Sequence, residues 1–210
     1  PLIHVDATIL AHTNLAEFHK FLQEKENEAL LDRMVIIKVP YALSYRDESR
    51  IYQKLVSGAP AFRNVHLDPH VLNLAAVFAI LTRLTKPERE GLDVAKKLRL
   101  YAGEAVEGVP ETEGSRLHAE SPDEGMTGVS PRFIINAISN AITRGTTHSL
   151  TSMELLLALK DGIESDARME AKQKKAWIDH LVTARKEFYN RWVKEDVHRA
   201  MFASFEEEAQ

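Results

Sequence analysis

The 210-residue chain contains no cysteine. That excludes a disulfide framework and any thiolate metal site, and it fits a protein of the reducing cytoplasm. No apolar run approaches the roughly 20 residues of a membrane-spanning helix, so no membrane partner is expected. None of the nine glycines is followed by lysine. A phosphate-binding loop of the G-x-x-x-x-G-K-[ST] type is therefore absent. The H-R-D and D-F-G pair and the G-x-G-x-x-G loop of protein kinases are absent too. A chain lacking all of these is not expected to transfer phosphoryl groups by itself. The formal net charge of −4 argues against a broad nucleic-acid surface.

Metal chemistry also finds little support. His66 and His70 have a spacing seen in helical metal sites, but Asp68-Pro69 starts a helix between them and spoils the shared face. Asp6 ends an apolar stretch, yet Ala7 follows where a second acid would be wanted, and Asp6 reads as a turn or sheet-edge residue. Gly128-Val-Ser-Pro-Arg132 lacks the closing glycine of a nucleophile elbow, which leaves a serine hydrolase without support. The opening Pro1-Leu-Ile-His4 has neither the basic region of a signal peptide nor an initiator methionine. The helical pattern at Phe205–Gln210 closes without a stop. Both ends lead to the expectation of a piece of a longer protein.

What is present reads as a short α/β layer followed by helices. Leu2–Ala11 reads as extended. Asn14 and Glu17 form a capping pair before a helical face of Leu15, Phe18 and Leu22. A short helical turn at Glu28–Leu31 precedes Met34–Val39, an apolar run of the kind buried on both faces of a parallel sheet, ended by Pro40. Ser44 starts a helix with Ile51, Leu55 and Val56 on one side. Asp68-Pro69 opens a strong helix to about Leu84, and Pro87 begins another that ends near Tyr101. Residues 102–127, polar and rich in glycine, glutamate, proline and serine, read as a long mobile loop. Gly145–His148 reads as a break. Thr151-Ser-Met-Glu154 is a capping box. One long charged helix spans about Arg168–Trp192, and a shorter one runs to Glu207. The stripe of Trp177, Leu181, Ala184, Phe188 and Trp192 reads as core or a partner-domain contact rather than a ligand box.

Three polar points lie just outside regular structure. Glu124-Gly-Met-Thr-Gly-Val-Ser-Pro-Arg-Phe133 opens into the apolar helix Ile134–Ile142. Ser130 suits the cap and Pro131 the first turn. Arg132 then stands at the positive end of the helix dipole, where a cation is unfavourable unless an anion shares the site. Free backbone N–H groups with an arginine make a phosphate pocket; the plainer alternative is a salt bridge to Asp123 or Glu124. Asn14, beyond an apolar strand, is placed to hold a water or a phosphate oxygen, or else simply caps its helix. Arg33, just before the second apolar run, either reaches a phosphate across an interface or pairs with Asp32 or Glu28.

Taken in order, Ile9–Asn14, Asn27–Arg33, Val35–Tyr41, Phe78–Leu84, Leu100–Glu104 and Glu124–Phe133 resemble the bacterial PrkA-type serine protein kinases, an AAA+ ATPase family, with a fainter likeness through Lys186–Gln210. The Ser-Pro-Arg segment also looks like the lid of MoxR-type AAA+ ATPases. The resemblance implies a mainly α fold with a short α/β remnant: the end of an AAA+ core at 1–43, a helical lid at 44–149 containing the 102–127 loop, and the start of a helical, kinase-associated C-terminal region at 150–210. It implies that Asn14 is the first sensor, Arg33 the arginine finger, with Arg46 and Arg50 nearby, and Arg132 the second sensor. It further implies ATP and Mg2+ in the full-length protein with none bound to this piece alone, a protein substrate, and a homo-oligomer through the AAA+ module. Two other readings stay open: an AAA+ unfoldase or protease-coupled ATPase, and a helical interaction module without catalysis.

Overall fold

The computed structural model describes residues 6–110, 112–145 and 149–208, the last six by backbone alone. The chain forms two compact units, one ending at Lys38 and one starting at Val39.

The first unit carries α1 (Leu15–Gln23), a 3-10 turn at Lys25–Asn27 and α2 (Glu28–Leu31). The Asn14 side chain accepts the Glu17 N–H and starts α1 as its capping pair foretells. The two flanking strands do not form. Residues 6–11 and Met34–Val39 have no strand hydrogen bonds, and Val35 and Ile37 are 89% and 77% exposed. A strand of this apolar type is stable only when neighbours pair both its edges and cover both faces. Among the described residues none does. The expected start of a strand at Leu2–Val5 lies outside the described residues.

The second unit is built on α4 (Val71–Leu81), in which nine of eleven residues are buried. Such a helix is apolar all round because other helices surround it. Against it pack α3 (Tyr45–Gly58), α5 (Val94–Tyr101), α7 (Pro131–Arg144), α8 (Ser152–Ser165) and α9 (Ala171–Glu187). β1 (His66–Leu67) and β2 (Ser149–Leu150) make a two-stranded parallel pair, with His66 opposite Ser149. The chain is thus mainly helical, and these are the only strands among the described residues.

Several boundaries move, each for a local reason. Helix α3 buries Tyr45, Glu48, Tyr52 and Val56, while Ile51 and Leu55 stay about half exposed. The apolar residues alone misplace this face, because its centre is a buried hydrogen bond from Tyr52 to Glu48. Helix α4 begins three residues late, after His70 turns into left-handed backbone at φ 64°. Helix α5 is capped by Asp93, not begun by Pro87. The stretch expected as a loop carries α6 (Glu113–Glu120), whose Leu117 joins Leu92, Leu100 and Val106 in a small second core. The capping box at Thr151 is complete. The aromatic stripe is core, with Leu181, Ala184, Phe188 and Trp192 buried and Trp177 packed against them. After α9 comes a π-helical turn at Phe188–Val193 and then α10 (Lys194–Glu208). None of the described helices is long and apolar enough to cross a membrane.

Candidate functional site

The segment that leads into α7 is fixed from below by two buried ion pairs. At its start, the Glu124 carboxylate accepts from Lys97 Nζ at 2.5 Å, from the Thr85 N–H and hydroxyl at 2.6 Å each, and from the Tyr101 hydroxyl at 2.7 Å. Both charged side chains of the pair are 1% exposed. Burial works to raise the Glu124 carboxyl, but the hydrogen bonds from Lys97, Thr85 and Tyr101 outweigh it and hold the group below the ordinary range. Burial, reinforced by Glu124, pushes the Tyr101 phenol up, so it stays protonated and donates.

At the other end, Val129 is held through both backbone groups. Its N–H donates to Thr82 Oγ1 at 2.9 Å, and its carbonyl accepts from Arg83 Nη2 at 2.8 Å. Arg83 also donates to the Ala42 carbonyl and to Glu48 Oε1, and its guanidinium lies over the Tyr41 ring. All its charge is spent inside the protein. Arg83 is a structural clamp, and the sequence offered no direct sign of it beyond a cation following the apolar run Phe78–Leu81.

Two glycines let the chain pass this close. Gly128 has φ +116°, and a Cβ there would lie 2.7 Å from Arg83 Cγ and 3.0 Å from the Thr82 carbonyl oxygen. Gly125 has φ +82°, and a Cβ would meet the Tyr41 carbonyl oxygen at 2.9 Å. Only glycine satisfies both the backbone angle and the space.

The result is a rigid approach to α7. Ser130 Oγ accepts the Phe133 N–H at 3.3 Å, and Pro131 occupies the first helical turn. Ile134, Ala137, Ile138 and Ala141 bury the inner face. Arg132 is left exposed, with no hydrogen-bond or ion-pair partner among the described residues. The alternative pairing with Glu124 is ruled out by the Lys97 pair, and no bond joins Arg132 to Asp123. The backbone that carries Arg132 is held, and its unpaired guanidinium stands at the positive end of a 14-residue helix, where a cation gains from an anion beside it.

The other two predicted residues belong to the first unit. Asn14 Oδ1 accepts the Glu17 N–H at 2.8 Å, which is the plain helix-cap role. Arg33 is exposed, and its side chain pairs with neither Asp32 nor Glu28. No hydrogen bond or ion pair links Asn14 to Arg33. Nearby, Arg46 lies 3.5 Å from Glu104 and Arg50 lies 3.4 Å from Asp47. His70 bonds Asp196, and no group of three or more His, Asp or Glu among the described residues is arranged to hold a metal.

Comparison with known proteins gives two family matches along the chain: the PrkA AAA domain over residues 1–91 and the PrkA serine protein kinase C-terminal domain over residues 95–210. A protein of Bacillus subtilis (strain 168) named ATP-dependent protease PrkA is 40% identical over 208 residues, covering 99% of this chain and 33% of that protein. The serine/threonine kinase YeaG of Escherichia coli (strain K12) is 29% identical over 206 residues, covering 96% of this chain and 31% of its own. The chain spans about a third of the length of these curated relatives. No solved structure matches it. Arg132 and its two buried clamps therefore sit on a chain that belongs to the PrkA family and carries sequence of both its AAA and its C-terminal domains.

Proposed function

We propose that this chain is the nucleotide-sensing and coupling part of an ATP-dependent enzyme that acts on protein, with serine protein kinase as its activity. The observation that carries the proposal is the free guanidinium of Arg132, displayed by a segment whose one other charge, Glu124, is buried and paired. That arrangement suits a second sensor, which meets the terminal phosphate of ATP and closes the lid on it. Charge-assisted hydrogen bonds to a developing phosphoryl charge are strong, and the rigid helix start confines the rearrangement to the Arg132 side chain. ATP and Mg2+ would be held mainly by parts of the protein outside this chain, which has no phosphate-binding loop.

In the same proposal Arg33 is an arginine finger that works in a neighbouring copy, so the protein is a homo-oligomer. Asn14 is the first sensor, and its amide N–H2 is the group for that task, since its oxygen is committed to the cap. The kinase reading draws on the serine protein kinase description of the C-terminal family and on the name of the E. coli relative. A second reading, ATP-dependent protein unfolding or proteolysis, draws on the name of the B. subtilis relative.

The test is Arg132→Ala in the full-length protein. ATP hydrolysis is expected to fall about 100-fold or more, the order seen when one donor to a reacting oxyanion is removed. Unchanged hydrolysis and nucleotide affinity would remove the sensor role. Transfer of labelled phosphate from ATP to a protein acceptor, against ATP-dependent loss of the same acceptor, separates kinase from protease.

A further inference from the structure

The long helix that closes the chain is interrupted at one place. Over Phe188–Val193 it widens into a π turn, and the Lys194 N–H reaches back five residues to the Tyr189 carbonyl. One residue more than an α-helix needs is packed into that turn. Such turns are uncommon and are found often at functional sites.

The turn is clasped from the AAA-matched stretch. The His70 ring stacks on Trp192, with centroids 5.5 Å apart and planes at 16°. The other end of the same imidazole bonds Asp196, in the first turn of α10, at 3.0 Å. Tyr45 tilts onto Trp192 at 5.7 Å. His70 holds this position in left-handed backbone, where no other non-glycine residue of the described chain is found, and which a side chain with a Cβ adopts only at a cost. Thus an irregular turn and a strained residue meet at one contact. Beside them, Arg191 Nη1 is buried without a hydrogen-bond partner, although Nη2 bonds Glu104 at 2.5 Å.

We propose that Phe188–Val193 is a two-register joint, held in its wide register by His70, through which movement of the AAA-matched stretch turns α10. The nucleotide trigger rests on the sensor reading above; the joint itself does not. When His70 swings away, the extra residue leaves the turn and the helix closes to regular α geometry. Losing one residue from the register rotates α10 by about 100° and shifts it by about 1.5 Å. Asp196 then leaves the reach of His70, and the half-exposed apolar side chains Val197, Met201 and Phe202 move to a different face. That face is what the joint displays or withdraws.

The experiment uses full-length protein with nitroxide labels at Asn140→Cys on α7 and Ala200→Cys on α10, other cysteines of the protein being replaced. On a helix of about 5.5 Å radius, a 100° turn moves the second label by about 8 Å, well within pulsed dipolar spectroscopy. Two distances are expected, their ratio differing between ADP and a non-hydrolysable ATP analogue. His70→Gly relieves the left-handed backbone and removes the clasp, so it should favour the second distance without nucleotide. Deleting the exposed Asn190 removes the surplus residue, so a regular helix then carries α10 in the orientation of the wide register, and the first distance should be found alone under all conditions. A nucleotide-independent ratio that His70→Gly still shifts would uphold the joint and overturn the sensor reading. A single distance in the parent protein that His70→Gly does not alter, or a second distance that survives deletion of Asn190, would overturn the joint.

Discussion

The Lys97–Glu124 pair offers a quantitative check on the view that Arg132 is displayed by a rigid base. Lys97→Met keeps the length of the side chain and removes its charge. It leaves the buried Glu124 carboxylate with three donors, two from Thr85 and one from Tyr101, but no cation. Breaking a buried pair from one side costs about 3–5 kcal/mol. The remaining donors place the expected cost near the lower end, about 3 kcal/mol. Native-state hydrogen exchange in the intact protein reads this locally. At about 1.4 kcal/mol per factor of ten, the amides of residues 125–130 should exchange on the order of 100-fold faster, with α8 little changed. Adding Glu124→Gln removes the orphaned charge and should restore part of the protection, because residues in one network couple. The pH dependence follows from the lowered Glu124 pKa. The carboxylate contributes protection above about pH 4.3, the ordinary value for glutamate, and that contribution is lost as pH falls through its lower folded value. Exchange at residues 125–130 within threefold of the parent protein at neutral pH would refute the argument.

Other expectations are more compact. Arg132→Ala touches no partner, so thermal stability should change by less than about 0.5 kcal/mol while ATP hydrolysis falls; a matching loss of both would point to a structural role. Gly128→Ala places a Cβ 2.7 Å from Arg83 Cγ in a backbone region that disfavours it. It should destabilise by about 1–3 kcal/mol, measured by thermal unfolding. Asn14→Asp keeps an oxygen for the Glu17 N–H and deletes the amide donors, whereas Asn14→Ala costs about 1 kcal/mol of helix stability. If Asn14 is a sensor, both substitutions slow ATP hydrolysis in the full-length protein; if it is only a cap, Asn14→Asp is silent. Mixing Arg33→Ala subunits with a phosphate-loop mutant should restore part of the hydrolysis through mixed interfaces, and no rescue at any ratio would count against action in trans.

Local patterns carried much of the fold. Asn14 with Glu17, Thr151 with Glu154, and Ser130-Pro131 each mark a helix start, because a cap is made by residues three apart and needs nothing distant. The stripe from Trp177 to Trp192 was legible as core for the same reason. The failures involve partners far along the chain. Met34–Val39 has the composition of a buried strand but no neighbour to pair with among the described residues. The inner face of α3 is set by Glu48, which an apolar count discards, since its buried partners Tyr52 and Arg83 are invisible locally. Lys97 and Arg83 lie within or beside apolar stretches, and such cations are worth pairing in advance with a distant acid such as Glu124 or Glu48. The π turn had no sequence sign at all, since Phe188–Val193 reads as ordinary helix.

The family boundary near residues 91–95 is not a break in the packing. Tyr52, Leu74 and Phe78 from one side share a single buried cluster with Leu155, Leu159, Leu181 and Trp192 from the other. Arg83, before the boundary and paired there with Glu48, holds Val129 after it. Close-packed interiors transmit displacement rather than absorb it. If Arg132 is the proposed sensor, a nucleotide that pulls on it would pull on α4 through the Val129–Arg83 clamp. Helix α4 starts at His70, and His70 is what holds Trp192 and Asp196. The proposed sensor lies three residues along the chain from Val129, and clamp and joint are linked through α4 within the second unit. On that reading His70→Gly and deletion of Asn190 should uncouple nucleotide from α10 while sparing Arg132, and Arg83→Met should abolish sensing and movement together.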